Sequence, residues 1–163
     1  MDLSRLADLP PLAPGAHSPP NDGGAIACAM EAVAYVAGEP WSDSPACACP
    51  VVGAFVRAWN DGLRDADRDR LLRPLVPRLV GSRSTPAVES RRSYLALDWL
   101  VRVYTPTLLD LVPSLAEHAS ALRALPEIVD LATAHAAGDA VRAAQQARAA
   151  AGDAAWDAAG AAA

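Results

Sequence analysis

The chain has 163 residues, enough for one ordinary domain. It is 52% hydrophobic and 20% charged, with a mean hydropathy of +0.13, which excludes a chain that is disordered throughout. A net charge of −5 and a pI near 5.0 argue against a nucleic-acid-binding domain. With 10 glycines and 3 cysteines, collagen-like and disulfide-scaffold proteins are also excluded.

Two features of the sequence predict a cytoplasmic protein that binds no membrane. The start of the chain, Met1 to Arg5, lacks the basic and apolar regions of a signal peptide. Every apolar run is interrupted by charges or prolines before it is long enough to span a bilayer. The odd number of cysteines also argues against a complete disulfide framework.

The composition changes along the chain and predicts three segments. Residues 1–22 form a Pro-rich N-terminal arm, residues 23–138 a helical core domain, and residues 139–163 an Ala-rich C-terminal helix. In the last segment Ala137-Gly138-Asp139-Ala140 recurs as Ala151-Gly152-Asp153-Ala154, and Trp156 is its one large apolar residue after Ala143. Alanine favours helix but buries little area, so this helix needs a partner, either a second copy or the bundle itself. The alternative is low-complexity sequence that reflects codon bias alone.

Apolar residues recur at helical spacing throughout the core, with Gly and Pro at the ends of the segments. Helices are predicted from Ala25 to Ala37 before Gly38, from Pro50 to Asn60-Asp61-Gly62, over Leu71 to Val80 with breaks at Pro74 and Pro77, from about Ala87 to Tyr104, and in shorter pieces opening at Thr105, Ser114 and Pro126, the last ending near Gly138. No segment alternates with period two, so no strand is expected. The predicted fold class is all-α, an irregular bundle of about six to seven short helices with an Ala-rich C-terminal helix.

The helical spacing also predicts which apolar side chains are buried. Two faces are expected in the core: Ile26, Met30, Val33 and Ala37; and Val52, Phe55, Val56, Trp59 and Leu63. The long predicted helix carries Val88, Leu95, Trp99 and Val103.

Glu31 is the only charged residue between Gly23 and Gly38, on a helix that is otherwise apolar or small. A carboxylate buried there must be paired, protonated or bound to a ligand. We expect a salt bridge to an arginine of the long helix, where Arg91 and Arg102 lie on a charged stripe. The alternative is a catalytic acid or base, or a metal ligand.

Three cysteines form the second candidate site. Cys49 precedes Pro50, which suits the first position of a helix, so Cys49 is predicted at the N-cap, where the helix dipole favours a thiolate. Cys49 is therefore a candidate nucleophile, whereas Cys28 is expected in mid-helix. Cys47 and Cys49, with Cys28 as a third sulfur, are candidate ligands of a soft metal, against the alternative of simple packing in the core.

The loop after Gly38 supplies candidate binding residues, namely Glu39, Trp41 and Asp43. Asp43 has a structural alternative, since its side chain can stabilise the turn by a local hydrogen bond. Trp41 is either a core residue or a lid over a pocket. The histidines, His17, His118 and His135, match no motif with a Ser or Cys and are expected at the surface or at helix caps.

The segments Cys28-Ala29-Met30-Glu31-Ala32, Ala37 to Cys47, Val51-Val52 and Asn60-Asp61 resemble a family of uncharacterised actinobacterial proteins. The resemblance covers about residues 25 to 104, and its most specific parts are Cys-x-Met-Glu and Ser-Asp-x-Pro. It implies a shared helical core, a cytoplasmic protein of actinobacterial origin and Ala/Asp/Trp-rich tails on some members. Many members have His where this chain has Ser44, which weakens a metal site, and the resemblance implies no reaction.

Two hypotheses for the function follow. The first is a helical interaction or scaffold module that self-associates through its C-terminal helix, as a homo-oligomer or with another protein partner. The second is a small enzyme or a ligand- or metal-binding protein, whose cofactor the sequence does not indicate. Its site would comprise Cys28, Glu31, Glu39, Asp43, Cys47 and Cys49, with Arg102 as an anion clamp.

Overall fold

In this computed structural model, which describes residues 2–19 and 25–161, every regular element is a helix. The described residues contain one isolated bridge, between Leu12 and Ala27, and no strand. The predicted all-α class is therefore confirmed. No helix in this part of the chain is both long and apolar enough to cross a bilayer.

The helices are numbered here in chain order. They are α1 Ala29–Ala37, α2 Pro50–Gly62, α3 Asp65–Leu72, α4 Val76–Leu79, α5 Pro86–Trp99, α6 Thr105–Leu109, α7 Ala116–Arg123 and α8 Leu131–Ala161. Short 3₁₀ turns occupy Leu3–Leu6, Arg73–Leu75 and Pro113–Leu115, and a π-helical segment occupies Leu100–Tyr104.

The chain forms two compact units, Met1–Glu89 and Ser90–Ala163, where the sequence suggested one core domain between an arm and a tail. The boundary falls in the first turns of α5. Each unit has its own cluster of buried apolar side chains.

In the first unit, α1 is the central helix and packs against α2 and α4. Its side chains from Ala29 to Ala34 are all buried, as is Val36, which is why the sequence here is apolar on every side. The helix ends at Gly38 as predicted, because Gly38 takes a left-handed conformation with φ of 77° and donates its N–H back to α1. The predicted breaks at Pro74 and Pro77 are also present, since a 3₁₀ turn and the short α4 follow α3.

In the second unit, α8 is longer than expected and contributes to the core from Ala134 onward. Asp130 precedes the helix and accepts a hydrogen bond from the Thr133 amide at 2.8 Å, while the Thr133 hydroxyl oxygen accepts one from the Asp130 amide. The helix predicted from Pro126 to Gly138 is therefore wrong at both ends, because this cap sets the start at Leu131 and alanines carry the helix past Gly138. Ala137 and Ala144 are buried in the core of the unit.

The π-helical segment between α5 and α6 has a local cause. Pro106 has no N–H to donate, and in a regular α-helix its ring would clash with the carbonyl four residues earlier. The chain widens by one residue instead, so that the Thr105 amide donates to the Leu100 carbonyl, five residues earlier. The Thr107 hydroxyl donates to the Val103 carbonyl at 2.7 Å.

Several predicted core residues are exposed. Met30, Val33 and Val56 are buried as expected. The predictions were wrong for Ile26, Phe55 and Trp59, each of which is at least 39% exposed. Three apolar residues that the long predicted helix carries, Leu95, Trp99 and Val103, are exposed as well. Periodicity identifies a shared face, but it does not say whether another element covers that face.

Candidate functional site

The carboxylate of Glu31 is the centre of a buried polar network in the first unit. Glu31 is only 1% exposed, and its two oxygens accept hydrogen bonds from the Cys28 amide at 2.6 Å and from the His17 amide at 2.6 Å. The ring nitrogen Nδ1 of His17 lies 3.0 Å from Oε2 of Glu31. Three donors thus surround a carboxylate whose burial would otherwise be costly.

This network corrects three predictions. Glu31 pairs with His17 and with two backbone amides, not with an arginine of the long helix. His17 is not a surface residue, because its side chain is 12% exposed and faces Glu31. Cys28 is not in mid-helix but is the N-cap of α1, where its sulfur accepts from the Glu31 amide at 3.3 Å. Glu31 returns the bond to the Cys28 amide, so the two residues form a capping box.

The Pro-rich segment, which the sequence predicted to be an N-terminal arm, is packed and hydrogen-bonded against the first unit. Leu9 and Leu12 are buried in the core of the first unit, and the bridge to Ala27 holds the backbone on either side of Leu12. Side chains of later helices bind five further backbone groups of this segment. Their bonds are Asn60 to the Ala13 carbonyl, the Gly15 amide to Asp61, the Leu12 amide to Asp69, and Arg73 to the carbonyls of Leu9 and Pro10.

Asn60 is the second buried polar residue of this network, and it was missed by the sequence analysis. It is 1% exposed, accepts from the Ala29 amide at 3.2 Å and donates to the Ala13 carbonyl at 2.9 Å. It therefore joins the first turn of α1 to the segment that passes over it. The sequence contained one indication of this role. Prolines lack the N–H groups that pair backbone segments with one another, so the carbonyls of a Pro-rich segment need hydrogen-bond donors from side chains.

The loop after α1 closes over this region. The Trp41 indole N–H donates to the His17 carbonyl at 2.8 Å, and its ring packs edge-on against Tyr35. Glu39 accepts from the Ala46 amide at 2.6 Å, and the Arg57 guanidinium lies 4.0 Å from the Asp43 carboxylate and donates to the Asp43 carbonyl. Each of these predicted binding residues thus has a partner in the chain that stabilises the loop.

The three thiols are not brought together as a metal site. No group of three or more His, Cys, Asp or Glu side chains within the described ranges is arranged to hold a metal ion. Cys49 is the N-cap of α2 as predicted, but it is fully buried, beside a cavity of about 150 Å³ that Arg57 and Arg83 also line. Burial raises the pKa of the Cys28 thiol to about 12, and it also raises that of Cys47, which is partly exposed.

Arg102, the predicted anion clamp, lies in the second unit. Its guanidinium donates to Asp98 at 3.0 Å, and the same carboxylate accepts from the Ile128 amide at 2.9 Å. Burial opposes ionisation of Asp98, but these two donors outweigh it, and the pKa of Asp98 is lowered. Arg102 is therefore paired with Asp98, and it is Asp98 that bonds the loop preceding α8.

The second unit contains an apolar groove of about 480 Å³. Its buried floor is formed by Val101, Leu109, Leu122 and Ala144. Leu97, Leu100 and Leu108 line it and are 36%, 45% and 47% exposed, and Val141, Gln145 and Arg148 line it from α8. The π-helical segment thus contributes directly to the groove, which the sequence analysis did not anticipate.

Comparisons of the chain with protein-family models, with curated proteins and with solved structures found no match.

Proposed function

We propose that the chain is a helical association module, and that the groove of the second unit binds a helix from a second copy. The observation that carries this proposal is the groove with its exposed leucines at positions 97, 100 and 108. Large apolar side chains that are exposed together around a concavity are typical of protein-binding surfaces.

The first unit supports this proposal over the enzyme hypothesis. Glu31 accepts three hydrogen bonds from its own chain, and Trp41, Glu39 and Asp43 are engaged in holding the loop. These contacts satisfy the buried carboxylate within the fold, as a structural role requires. We therefore assign the first unit a scaffolding role, and the cytoplasmic location and the actinobacterial resemblance stay predictions.

The proposal also changes the part assigned to α8. Its alanines at 137 and 144 are buried within the second unit, and those at 140, 147 and 151 are packed against the same cluster. The alanine face of α8 is therefore covered by the core of its own unit. Gln145 and Arg148, which line the groove from α8, are exposed and therefore accessible to a partner.

Sedimentation of the wild type and of two matched variants tests the proposal. Leu108→Asp places a charge at the groove, whereas Leu111→Asp places it on a leucine that is 76% exposed and outside the groove. We expect a concentration-dependent dimer for the wild type and for Leu111→Asp, and a monomer for Leu108→Asp. A wild type that stays monomeric at every concentration, or equal effects of the two variants, would overturn the proposal.

A further inference from the structure

We infer that the segment seated in the groove is the end of α8 from a second copy, exchanged in both directions about a two-fold axis. This inference rests on the proposed function, because it names the occupant of the same groove. The supporting features are the reach of α8, an arginine at the groove, and the charge of the last residues of the chain.

The first step is that α8 extends past its own core. Ala151 is packed against the buried cluster of the second unit, whereas Gly152 and Asp153 are exposed. The helix continues to Ala161, which adds about 15 Å over ten residues. Because helices in proteins are stabilised mainly by packing of one face, this extension would be stabilised by a partner that packs against it.

The second step is an arginine without an internal partner. Arg148 lines the groove and forms no ion pair or hydrogen bond with any residue that the structure describes. The neighbouring Arg142, by contrast, pairs with Asp139 on its own helix. A guanidinium beside an apolar groove favours an occupant that carries a carboxylate next to an apolar side chain.

The third step is that the last residues of the chain have this composition. From residue 149 to 163 the charged side chains are Asp153 and Asp157, and the one large apolar residue is Trp156. The side chain of Trp156 lies outside the described residues. The other residues are Ala and Gly, which allow two helices to approach closely.

The fourth step excludes the chain's own tail as the occupant. Arg148 and position 157 lie on one continuous helix and are separated by nine residues, about 14 Å along its axis. A helix cannot fold back onto its own side, so the tail reaches this groove only in another molecule. Two copies exchanging tails form an isologous, closed pair.

The symmetry fixes which residues meet. If Arg148 of one copy faces Asp157 of the other, the two α8 helices run antiparallel and cross beside Gly152 and Asp153. A Cβ atom added at Gly152 would meet nothing within 4 Å, so the chain's own atoms leave the crossing point open. Position 156 then lies opposite position 149, at the end of the groove that Arg148 lines.

Charge reversal in the full-length chain tests the inference, with the dimer dissociation constant measured by sedimentation. We expect Arg148→Glu and Asp157→Arg each to raise this constant about tenfold or more, and the double variant to return it to within about threefold of the wild type. Trp156→Ala should raise it about tenfold or more. The control Arg142→Glu makes the same charge change on an exposed side of α8 and should have little effect.

The outcomes separate this inference from the proposed function. If Leu108→Asp abolishes the dimer but the charge variants and Trp156→Ala do not weaken it, the groove is the interface and the tail is not its occupant. If both single charge variants weaken the dimer and the double variant fails to restore it, the pairing of Arg148 with Asp157 is wrong. A wild type that does not dimerise overturns the proposed function and this inference together.

Discussion

The replacement Glu31→Gln tests whether the buried network of the first unit serves stability. The wild-type carboxylate accepts three hydrogen bonds, two at 2.6 Å from amides and one at 3.0 Å from the His17 ring. Glutamine has nearly the same shape but only one accepting oxygen. Its NH₂ group would therefore face a donor, either the amide of Cys28 or that of His17.

The size of the effect follows from these contacts. A hydrogen bond to a charged group contributes about 1.5–3 kcal/mol, and a buried donor left without an acceptor costs a further 1–3 kcal/mol. Removing one partner of a buried charged group costs about 3–5 kcal/mol in other proteins. We therefore expect Glu31→Gln to lower the free energy of unfolding by about 3 kcal/mol or more, which in a unit of this size lowers Tm by about 12 °C or more.

Urea unfolding followed by circular dichroism measures this difference. The matched control is Glu39→Gln, because Glu39 also accepts a backbone amide at 2.6 Å but lies in an exposed loop contact. The control should lose about 1 kcal/mol or less. A Glu31→Gln variant as stable as the wild type, or more stable, would refute the structural role and favour the catalytic interpretation of this carboxylate.

Three further predictions concern other groups. Asn60→Ala leaves the Ala29 amide and the Ala13 carbonyl unpaired and should cost about 2–3 kcal/mol in urea unfolding; a loss below about 1 kcal/mol would contradict its bridging role. Iodoacetamide should modify Cys47 first in the folded protein, because it is the only partly exposed thiol among the three described cysteines. Peptide mass spectrometry measures the order of modification, and earlier modification of either buried thiol would contradict it. The lowered pKa of Asp98 contributes stability at neutral pH that is lost as the pH falls through the folded-state value. Asp98→Asn should therefore lose less stability than the wild type between pH 7 and pH 3, and equal losses in urea unfolding would show that Asp98 does not contribute.

Local rules predicted the helix ends that depend on one or two neighbouring residues. Gly38 ends α1, Cys49 and Pro50 begin α2, and Pro74 interrupts the segment that follows. In each case the cause lies in a backbone preference of the residue itself, so no knowledge of the rest of the fold is needed.

The network around Glu31 could be predicted only in part. The sequence showed that a lone charge on an apolar helix needs a partner, but the partner, His17, lies in a segment without helical periodicity. Nothing local to the Pro-rich segment indicates its path over α1. That path depends on distant side chains, such as Asn60 and Arg73, that bind its backbone.

Exposure of the apolar faces was not predictable from spacing. Phe55 and Trp59 share a face of α2 and are in contact with each other, yet both are exposed. Coverage of a face depends on how many elements pack around it, which is a property of the whole fold. For this reason the groove of the second unit was found only in the structure.

The π-helical segment at Leu100–Tyr104 makes this stretch the place where the chain tolerates a change in length. A π turn is an α-helix that has absorbed one extra residue while the helix on either side keeps its direction. Deleting one residue here, with Pro106 replaced by alanine, should leave an ordinary helix and keep Leu108 and Leu109 on their present sides. The same deletion inside α5 would rotate everything after it by about 100° and turn Leu109 out of the core.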